Sequence, residues 1–396
     1  MTGDARRLSA LPAGVWALGA VSLLMDLSSE LIHSLLPIFM TTVLGASMIT
    51  VGLIEGVAEA TAAMLKVFSG VISDRLGKRK LLLLAGYGLA ALTKPLFPLA
   101  PTIAWVATAR FADRIGKGIR GAPRDALVAD LVPDGQRGAA YGLRQALDSI
   151  GALLGPVAAI VLLAWFVVDL RTALWIAVIP AAAAVLVIVF AVREPPHLAQ
   201  AARAPLRFAD ARRLDWHFWL VVALGAVLTL ARFSEAFLVL RASDLGLAMA
   251  WVPVVMVIMN VVYAGVSYPA GLAADDGRRR GLLLWGLGAL IAADVALATA
   301  TTLPMLFAGV ALWGLHMGLT QGLLAVLVAT TAPPDLRGTA FGIFNLASGV
   351  ALLAASVIAG ALWQTLGAAA TFWAGAVFTA VAMAGLAAYR PPAGVR

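Results

Sequence analysis

Long runs of apolar residues, separated by short stretches with charge, glycine or proline, fill the chain from one end to the other. Each run has about twenty residues, the length that an α-helix needs to cross the hydrocarbon core of a bilayer. Transmembrane barrel strands are about half as long and alternate in polarity, so the runs favour helices. The punctuation predicts twelve spans, at 14–42, 48–71, 80–100, 102–130, 139–165, 171–192, 216–240, 248–271, 280–300, 303–331, 338–364 and 370–389.

Composition agrees with a protein embedded in a lipid bilayer. Of the 396 residues, 62% are hydrophobic and 13% are charged, whereas soluble domains carry about 25% charged residues. The formal charge of +8 could indicate a nucleic-acid partner. Most lysines and arginines, however, lie in short loops between apolar runs, so we expect no nucleic-acid binding. Because the chain has no cysteine, disulfides, thiol chemistry and cysteine-based metal sites are excluded.

The basic residues of the loops predict the orientation of the spans. The loops at 43–47, 301–302 and 365–369 contain no lysine or arginine. Three basic residues lie near that side of the membrane: Lys94, Arg171 and Arg241. The opposite side collects Arg6, Arg7, Arg75, Lys78, Arg79, Lys80, Arg137, the segment 193–213, Arg278, Arg279, Arg280, Arg337 and Arg390. The positive-inside rule therefore predicts a multi-pass protein of a bacterial-type inner membrane with both termini in the cytoplasm.

One predicted span, 102–130, is unusual because it carries five basic residues. At about 100° per residue, its charged positions share one side of the helix, opposite a side of phenylalanine, isoleucine and alanine. These positions are Arg110, Asp113, Arg114, Lys117, Arg120, Arg124 and Asp125. Each basic residue that faced lipid at mid-bilayer would cost roughly 2.5–3.5 kcal/mol. We therefore predict that this basic stripe faces a polar or water-filled interior.

Two sequence motifs occur twice, about two hundred residues apart. The string Gly70-Val-Ile-Ser-Asp74 returns as Gly271-Leu-Ala-Ala-Asp275, each time before a basic run, and an Arg-Gly motif at 137 returns at 337. This spacing predicts two parallel six-helix repeats. The predicted domains are an amino-terminal six-helix bundle at 1–192, a cytoplasmic linker at 193–215 and a carboxy-terminal six-helix bundle at 216–396.

The residues from Gly70 to Lys80, Gly-Val-Ile-Ser-Asp-Arg-Leu-Gly-Lys-Arg-Lys, resemble the signature loop of the major facilitator superfamily. The resemblance covers essentially the whole chain. It implies an all-α integral membrane protein with twelve transmembrane helices in two pseudo-symmetric six-helix bundles, which transports a solute by alternating access. The gating residues that it implies are Gly70, Asp74, Gly77, Lys78, Arg79 and Asp275, with Gly151, Gly155 and Pro156 of the fifth span.

The fourth and fifth spans carry further parts of the resemblance. Arg110 matches the superfamily's fourth-span arginine, with Gly116 and Gly118 at its usual glycine positions, but Arg114 replaces a glycine expected just before them. The fifth span resembles a motif of the superfamily's antiporters, although alanines replace its closing glycines. The matching residues are Gly142, Gly151, Gly155 and Pro156. Small residues at this spacing let helices touch and slide, and a proline lets a helix bend, so we favour an antiporter over ordinary tight packing.

Ionisable residues inside predicted spans are candidates for function. We expect the acidic residues of the first two spans to face the basic stripe. A carboxylate would pair with Arg110 in one state, and its protonation would break the pair so that the binding site can reopen to the other side. The expected proton-coupling residues are Asp26, Glu30, Glu59, Arg110 and Asp113. The expected substrate-binding residues are His33, Glu55, Arg114, Lys117, Arg120, Arg232 and Glu235. The net positive stripe favours an anionic or partly anionic solute, and a static salt-bridge network is the alternative.

We predict proton-coupled export of a small organic solute or drug, and three alternatives remain. Proton-coupled uptake differs only in direction. Asp26, Glu30 and His33 have a spacing that could bind a divalent cation, as in a metal exporter. A membrane enzyme is the alternative of another class, but no phosphate-binding loop, nucleophile elbow or zinc-protease motif is present. We expect no enzyme activity, no metal or cofactor, a proton gradient as energy source, and a monomer that has a small-molecule substrate and the lipid bilayer as partners.

Overall fold

A computed structural model describes residues 11–76, 78–133, 136–194, 208–273, 279–320, 328, 331–333 and 336–388. These residues form helices and connecting turns and include no strand. Two residues of the predicted gating set, Gly77 and Asp275, lie outside the described residues, as does the side chain of Asp74. The all-α fold class predicted from the sequence is confirmed.

The helices follow the predicted spans closely. Their bounds are α1 Ala13–Ile38, α2 Met48–Leu76, α3 Arg79–Thr93, α4 Ile103–Asp130, α5 Arg137–Ile160, α6 Leu170–Ile176, α7 Val178–Ala191, α8 Trp216–Ala231, α9 Ala236–Asp244, α10 Val254–Ala273, α11 Arg279–Thr299, α12 Leu303–Thr320, α13 Arg337–Leu366 and α14 Ala368–Ala388. The pairs α6–α7 and α8–α9 each make one span, which gives twelve spans in the described part of the chain. Ten of these are long and apolar enough to cross a membrane. The other two are α3, which is short, and α4, which holds the basic stripe.

The chain divides into two compact units, one made of residues 1–39 and 61–205, the other of residues 40–60 and 206–396. In the first unit α1 packs against α5 and α7, and α3 packs against α4. Its apolar core includes Leu18, Met25 and Tyr87. In the second unit α11 packs against α12 and α14, and α10 packs against α12. The predicted domain limits at 192 and 216 stay a prediction.

The second unit includes the first residues of α2 because they touch α13 closely. A Cβ atom on Gly52 would lie 2.1 Å from the carbonyl oxygen of Ser356, and one on Gly360 would lie 2.4 Å from that of Met48. Only glycine lets two helix backbones approach to this distance.

The predicted repeat extends to the burial of side chains. Residues 81–100 and 281–300 show the same succession of buried, half-buried and exposed positions, residue by residue. Lys94 and Asp294 occupy equivalent, fully buried places in this repeat. The two halves thus share a helical scaffold but place a lysine in one and an aspartate in the other at the same point.

The predicted span at 216–240 is present but interrupted, because α8 ends at Ala231 and α9 begins at Ala236. The buried ring of Phe233 in the gap packs against Trp313 and Phe372, with ring centroids 5.3 and 5.5 Å apart. The hydroxyl oxygen of Ser234 accepts a hydrogen bond from the backbone N–H of Ala236 at 3.2 Å. Burial of an aromatic ring and a serine bond to the backbone therefore favour the break over a continuous helix.

Candidate functional site

The basic stripe of α4 is largely turned inward in the first unit. Thr102 begins the helix by accepting a hydrogen bond from the backbone N–H of Trp105 at 3.3 Å. On the charged side, Arg110, Asp113, Arg114 and Arg120 are buried and Lys117 is exposed. On the opposite side, Phe111 is 44% exposed. A helix with this pattern places its charges against other helices of the unit.

A buried lysine at the end of α3 neutralises part of this stripe. The Nζ atom of Lys94 donates to Oδ1 of Asp113 at 2.8 Å and to Oγ of Ser29 at 3.0 Å. The side chains of Lys94 and Asp113 are only 1% and 4% exposed. The Nε atom of Arg114 lies 3.9 Å from the other carboxylate oxygen of Asp113. Sequence reasoning treated Lys94 only as a charge near the outer side, although a lysine inside an apolar run was a signal for this pair.

The acidic residues of α1 lie within electrostatic reach of α4. Asp26 interacts with Lys117 and Arg120, and Glu30 interacts with Lys117 and Arg114. Oε2 of Glu30 also lies 3.3 Å from Nδ1 of His33, a buried side chain. The structure therefore brings together the predicted acidic residues of the first span and the predicted basic residues of the fourth.

A second charged cluster joins α4 and α5 one to two turns further along. We call it the Arg124 cluster, and it consists of Arg124, Asp125, Arg144 and Asp148. A terminal nitrogen of Arg124 lies 3.5 Å from Oδ1 of Asp148 and donates to Oγ of Ser22 at 3.2 Å. Arg144 lies 3.7 Å from Asp148 and 3.8 Å from Asp125. Sequence reasoning missed Ser22, Arg144 and Asp148, although an arginine and an aspartate at i, i+4 inside an apolar span signal a buried pair.

Two glycines of the antiporter-like motif place α5 directly on α1. A Cβ atom on Gly151 would lie 2.4 Å from the carbonyl oxygen of Leu23, and one on Gly155 would lie 2.7 Å from the backbone nitrogen of Leu31. Gly142, by contrast, has nothing within 4 Å of such an atom. Close contact of the two backbones thus depends on Gly151 and Gly155.

The basic run after α2 is fixed to the ends of two other helices. Arg79 forms an ion pair with Asp130 at the end of α4, and its backbone N–H donates to a carboxylate oxygen of Glu194. Nζ of Lys80 donates to the carbonyl oxygen of Val189 in α7 at 3.0 Å. Gly70, of the same predicted gating set, would place a Cβ atom 3.4 Å from that of Ala122 in α4. These contacts connect the signature loop with α4, which carries the stripe.

The second unit holds fewer buried charges. Arg232 and Glu235 are half-buried at the break between α8 and α9. The Nδ1 atom of His316 lies 2.9 Å from the carbonyl oxygen of Gly286, which fixes its proton there. Both carboxylate oxygens of Asp294 are buried without a hydrogen-bond partner among the described residues. Glu55 is fully buried and Glu59 half-buried, and their coupling and binding roles stay predictions.

No group of three or more histidine, aspartate or glutamate side chains that could hold a metal ion occurs within the described ranges. These ranges include Asp26, Glu30 and His33, so the metal site considered from their spacing does not form. One acidic residue outside the spans, Asp169, caps the start of α6. The carboxylate of Asp169 accepts a hydrogen bond from the backbone N–H of Thr172 at 3.2 Å, and hydrogen bonding to Thr172 lowers the pKa of Asp169.

Comparison with known proteins places the chain in a family. The Major Facilitator Superfamily profile matches residues 18–266 and 233–395. An uncharacterized MFS-type transporter of Methanocaldococcus jannaschii is 31% identical over 368 residues, which cover 89% of each chain. The multidrug resistance protein MdtH of Edwardsiella ictaluri is 26% identical and covers 90% of this chain and 88% of its own. The crystal structure of the human organic anion transporter MFSD10 superposes with a TM-score of 0.68 and 19% identity, over 94% of this chain and 99% of that one. The profile match spans nearly the whole sequence, and the fold agrees with it, so the chain belongs to the Major Facilitator Superfamily.

Proposed function

We propose that this transporter exports a small organic solute, anionic or partly anionic, in exchange for protons by alternating access. The observation that carries the proposal is the electrostatic interaction of titratable acids on α1 with the basic stripe on α4 inside one unit. Protonation of such an acid removes a charge from a cluster of buried charges and so changes the free energy of each conformation. The MdtH relative is named a multidrug resistance protein, which supports export over uptake.

The contacts of Asp113 support a structural role for it in this proposal. Asp113 already accepts a hydrogen bond from Lys94 and lies 3.9 Å from Nε of Arg114, so we place it in a structural ion pair. Proton coupling then falls to Asp26 and Glu30, with Arg110 as the basic partner and Glu59 as a further candidate. The solute would contact the basic side chains that lie nearest these acids, above all Lys117 and Arg114.

The remaining residues of the proposed solute path and gates follow the sequence analysis. His33, Glu55, Arg120, Arg232 and Glu235 stay candidate solute-binding residues in this proposal. The contacts of Gly151, Gly155 and Pro156 in α5 and of Lys78 and Arg79 after α2 would change as the helices tilt. The energy source would be the proton gradient, without a cofactor or chemical turnover of the solute, and the working unit would be a monomer.

A transport assay tests the proposal. A thermal-shift screen of metabolites, siderophores and anionic and cationic drugs supplies solutes that bind the purified protein. Everted membrane vesicles that contain the protein should accumulate a bound solute when a pH gradient, acid inside, is applied, and should release protons as they do so. Accumulation without proton movement, or transport in the direction of uptake only, would contradict proton-coupled export.

The variant Arg110→Ala separates coupling from folding. We expect it to insert normally and to lose gradient-driven accumulation at least tenfold, because the acid loses its basic partner. Arg212→Ala is the matched control, since Arg212 is exposed in the short turn before α8. Full gradient-driven transport by Arg110→Ala would remove Arg110 from the mechanism.

A further inference from the structure

Two carboxyl groups meet where α1 and α5 touch. The carboxyl groups of Asp26 and Asp148 interact with each other at hydrogen-bonding range. Two carboxylates have only acceptor oxygens, so a hydrogen bond between them requires a proton on one of the pair. We propose that Asp26 and Asp148 form a proton-binding site that holds one shared proton, and that release of this proton drives the transport cycle. The second half of this statement rests on the proposed function.

The fold brings the pair together through a glycine. Gly151 lies three residues after Asp148 on α5 and packs against α1, where its Cβ atom would stand 3.1 Å from Cβ of Asp26. Only a residue without a side chain allows this approach. The close contact that the antiporter-like motif provides therefore also brings the two carboxyl groups together.

The charged groups beside Asp148 balance the charge of the pair when it holds one proton. Asp148 faces Arg124 at 3.5 Å and Arg144 at 3.7 Å, and both arginines also face Asp125. A singly protonated pair and Asp125 together carry two negative charges against the two guanidinium groups. Nε2 of Gln145 donates to Asp148 at 3.5 Å and adds no charge. Burial of charge costs least when it is neutralised locally, so the charges beside Asp148 favour one proton on the pair. Lys117 and Arg120, which interact with Asp26, favour its release.

Loss of the proton leaves a negative charge that another cation can neutralise. The pair then carries two negative charges, the proton having left to water, and its internal hydrogen bond is broken. Two basic groups of α4, Lys117 and Arg120, interact with Asp26. The guanidinium group of Arg120 lies over the ring of Tyr87, 4.5 Å from its centroid, and one of its terminal nitrogens is buried without a hydrogen-bond partner in the described part of the chain. That donor can bind the deprotonated pair after a small rotation of α4 against α1, which links the proton to a movement of helices.

Infrared spectroscopy tests the shared proton without any substrate. The purified full-length protein is titrated with alkali, and the loss of the protonated carboxyl band is measured per chain. Asp26→Asn and Asp148→Asn should each remove one carboxyl proton, and the double variant should remove the same one, not two. Asp215→Asn is the control, because Asp215 is exposed before α8 and pairs with His217, away from the charges around the pair. Two separate protons, or an unchanged band in both single variants, would overturn the site. If an asparagine variant does not fold, Asp148→Ser is measured in the same way.

The transport role has a separate readout. In the everted vesicles described above, Asp148→Asn should abolish proton release while solute binding in a thermal-shift assay remains. Normal proton release by a folded Asp148→Asn variant would overturn the coupling role of the pair. Failure of the wild-type protein to release protons at all would instead refute proton-coupled export, while the infrared result would still decide the shared proton.

Discussion

The buried ion pair between Lys94 and Asp113 predicts a large and non-additive loss of stability. Removing one partner of a buried pair typically costs about 3–5 kcal/mol, because the other charge is left without compensation. In Lys94→Met, Asp113 keeps Arg114 at 3.9 Å, so we expect the lower end, about 3 kcal/mol. In Asp113→Asn, the ammonium group of Lys94 keeps the hydroxyl of Ser29 and a neutral amide oxygen but no carboxylate, so we expect the upper end, about 5 kcal/mol.

The double variant tests whether the loss of stability comes from an unpaired buried charge. Lys94→Met with Asp113→Asn removes both charges and leaves a neutral amide beside an apolar side chain. We expect it to lie within about 2 kcal/mol of the wild type, so the coupling energy should be several kcal/mol. The assay is the free energy of unfolding in mixed detergent micelles, measured for the four proteins of the cycle.

The double-mutant cycle has a matched control variant and an outcome that would contradict the reasoning. Lys80→Met removes a partly exposed lysine whose one hydrogen bond goes to a backbone carbonyl, and we expect a loss below about 1 kcal/mol. Additive effects of Lys94→Met and Asp113→Asn would show that the two side chains do not depend on each other. The reasoning about a buried pair would then be wrong.

Two further predictions concern packing and an isolated charge. Gly155→Ala should lower stability by about 1–3 kcal/mol, because its Cβ atom would meet the backbone nitrogen of Leu31 at 2.7 Å. The control Gly142→Ala, with open space around it, should change the melting temperature little. Equal effects of the two variants would refute the close contact. Asp294→Ala should raise stability by about 1 kcal/mol, since it removes a buried carboxyl group without a hydrogen-bond partner among the described residues. A marked loss of stability in the same unfolding assay would show that Asp294 has a partner.

The sequence by itself determined the membrane fold and the family. Span length, loop charge and the Gly70 to Lys80 string are local properties, each readable from a few neighbouring residues. The inward side of α4 also followed from helical spacing, since buried charges must avoid lipid. Lipid and water determine these features, because each segment is sorted between them by its own residues.

Only the tertiary structure decided which charges meet. Lys94 pairs with Asp113, nineteen residues away, and Asp26 meets Asp148 on another helix. The break between α8 and α9 depends on rings that come from two distant helices. Such pairings depend on the rotation and crossing of each helix against its neighbours. Glycine contacts such as that of Gly151 with Leu23 set those variables, and periodicity within one helix carries no information about them.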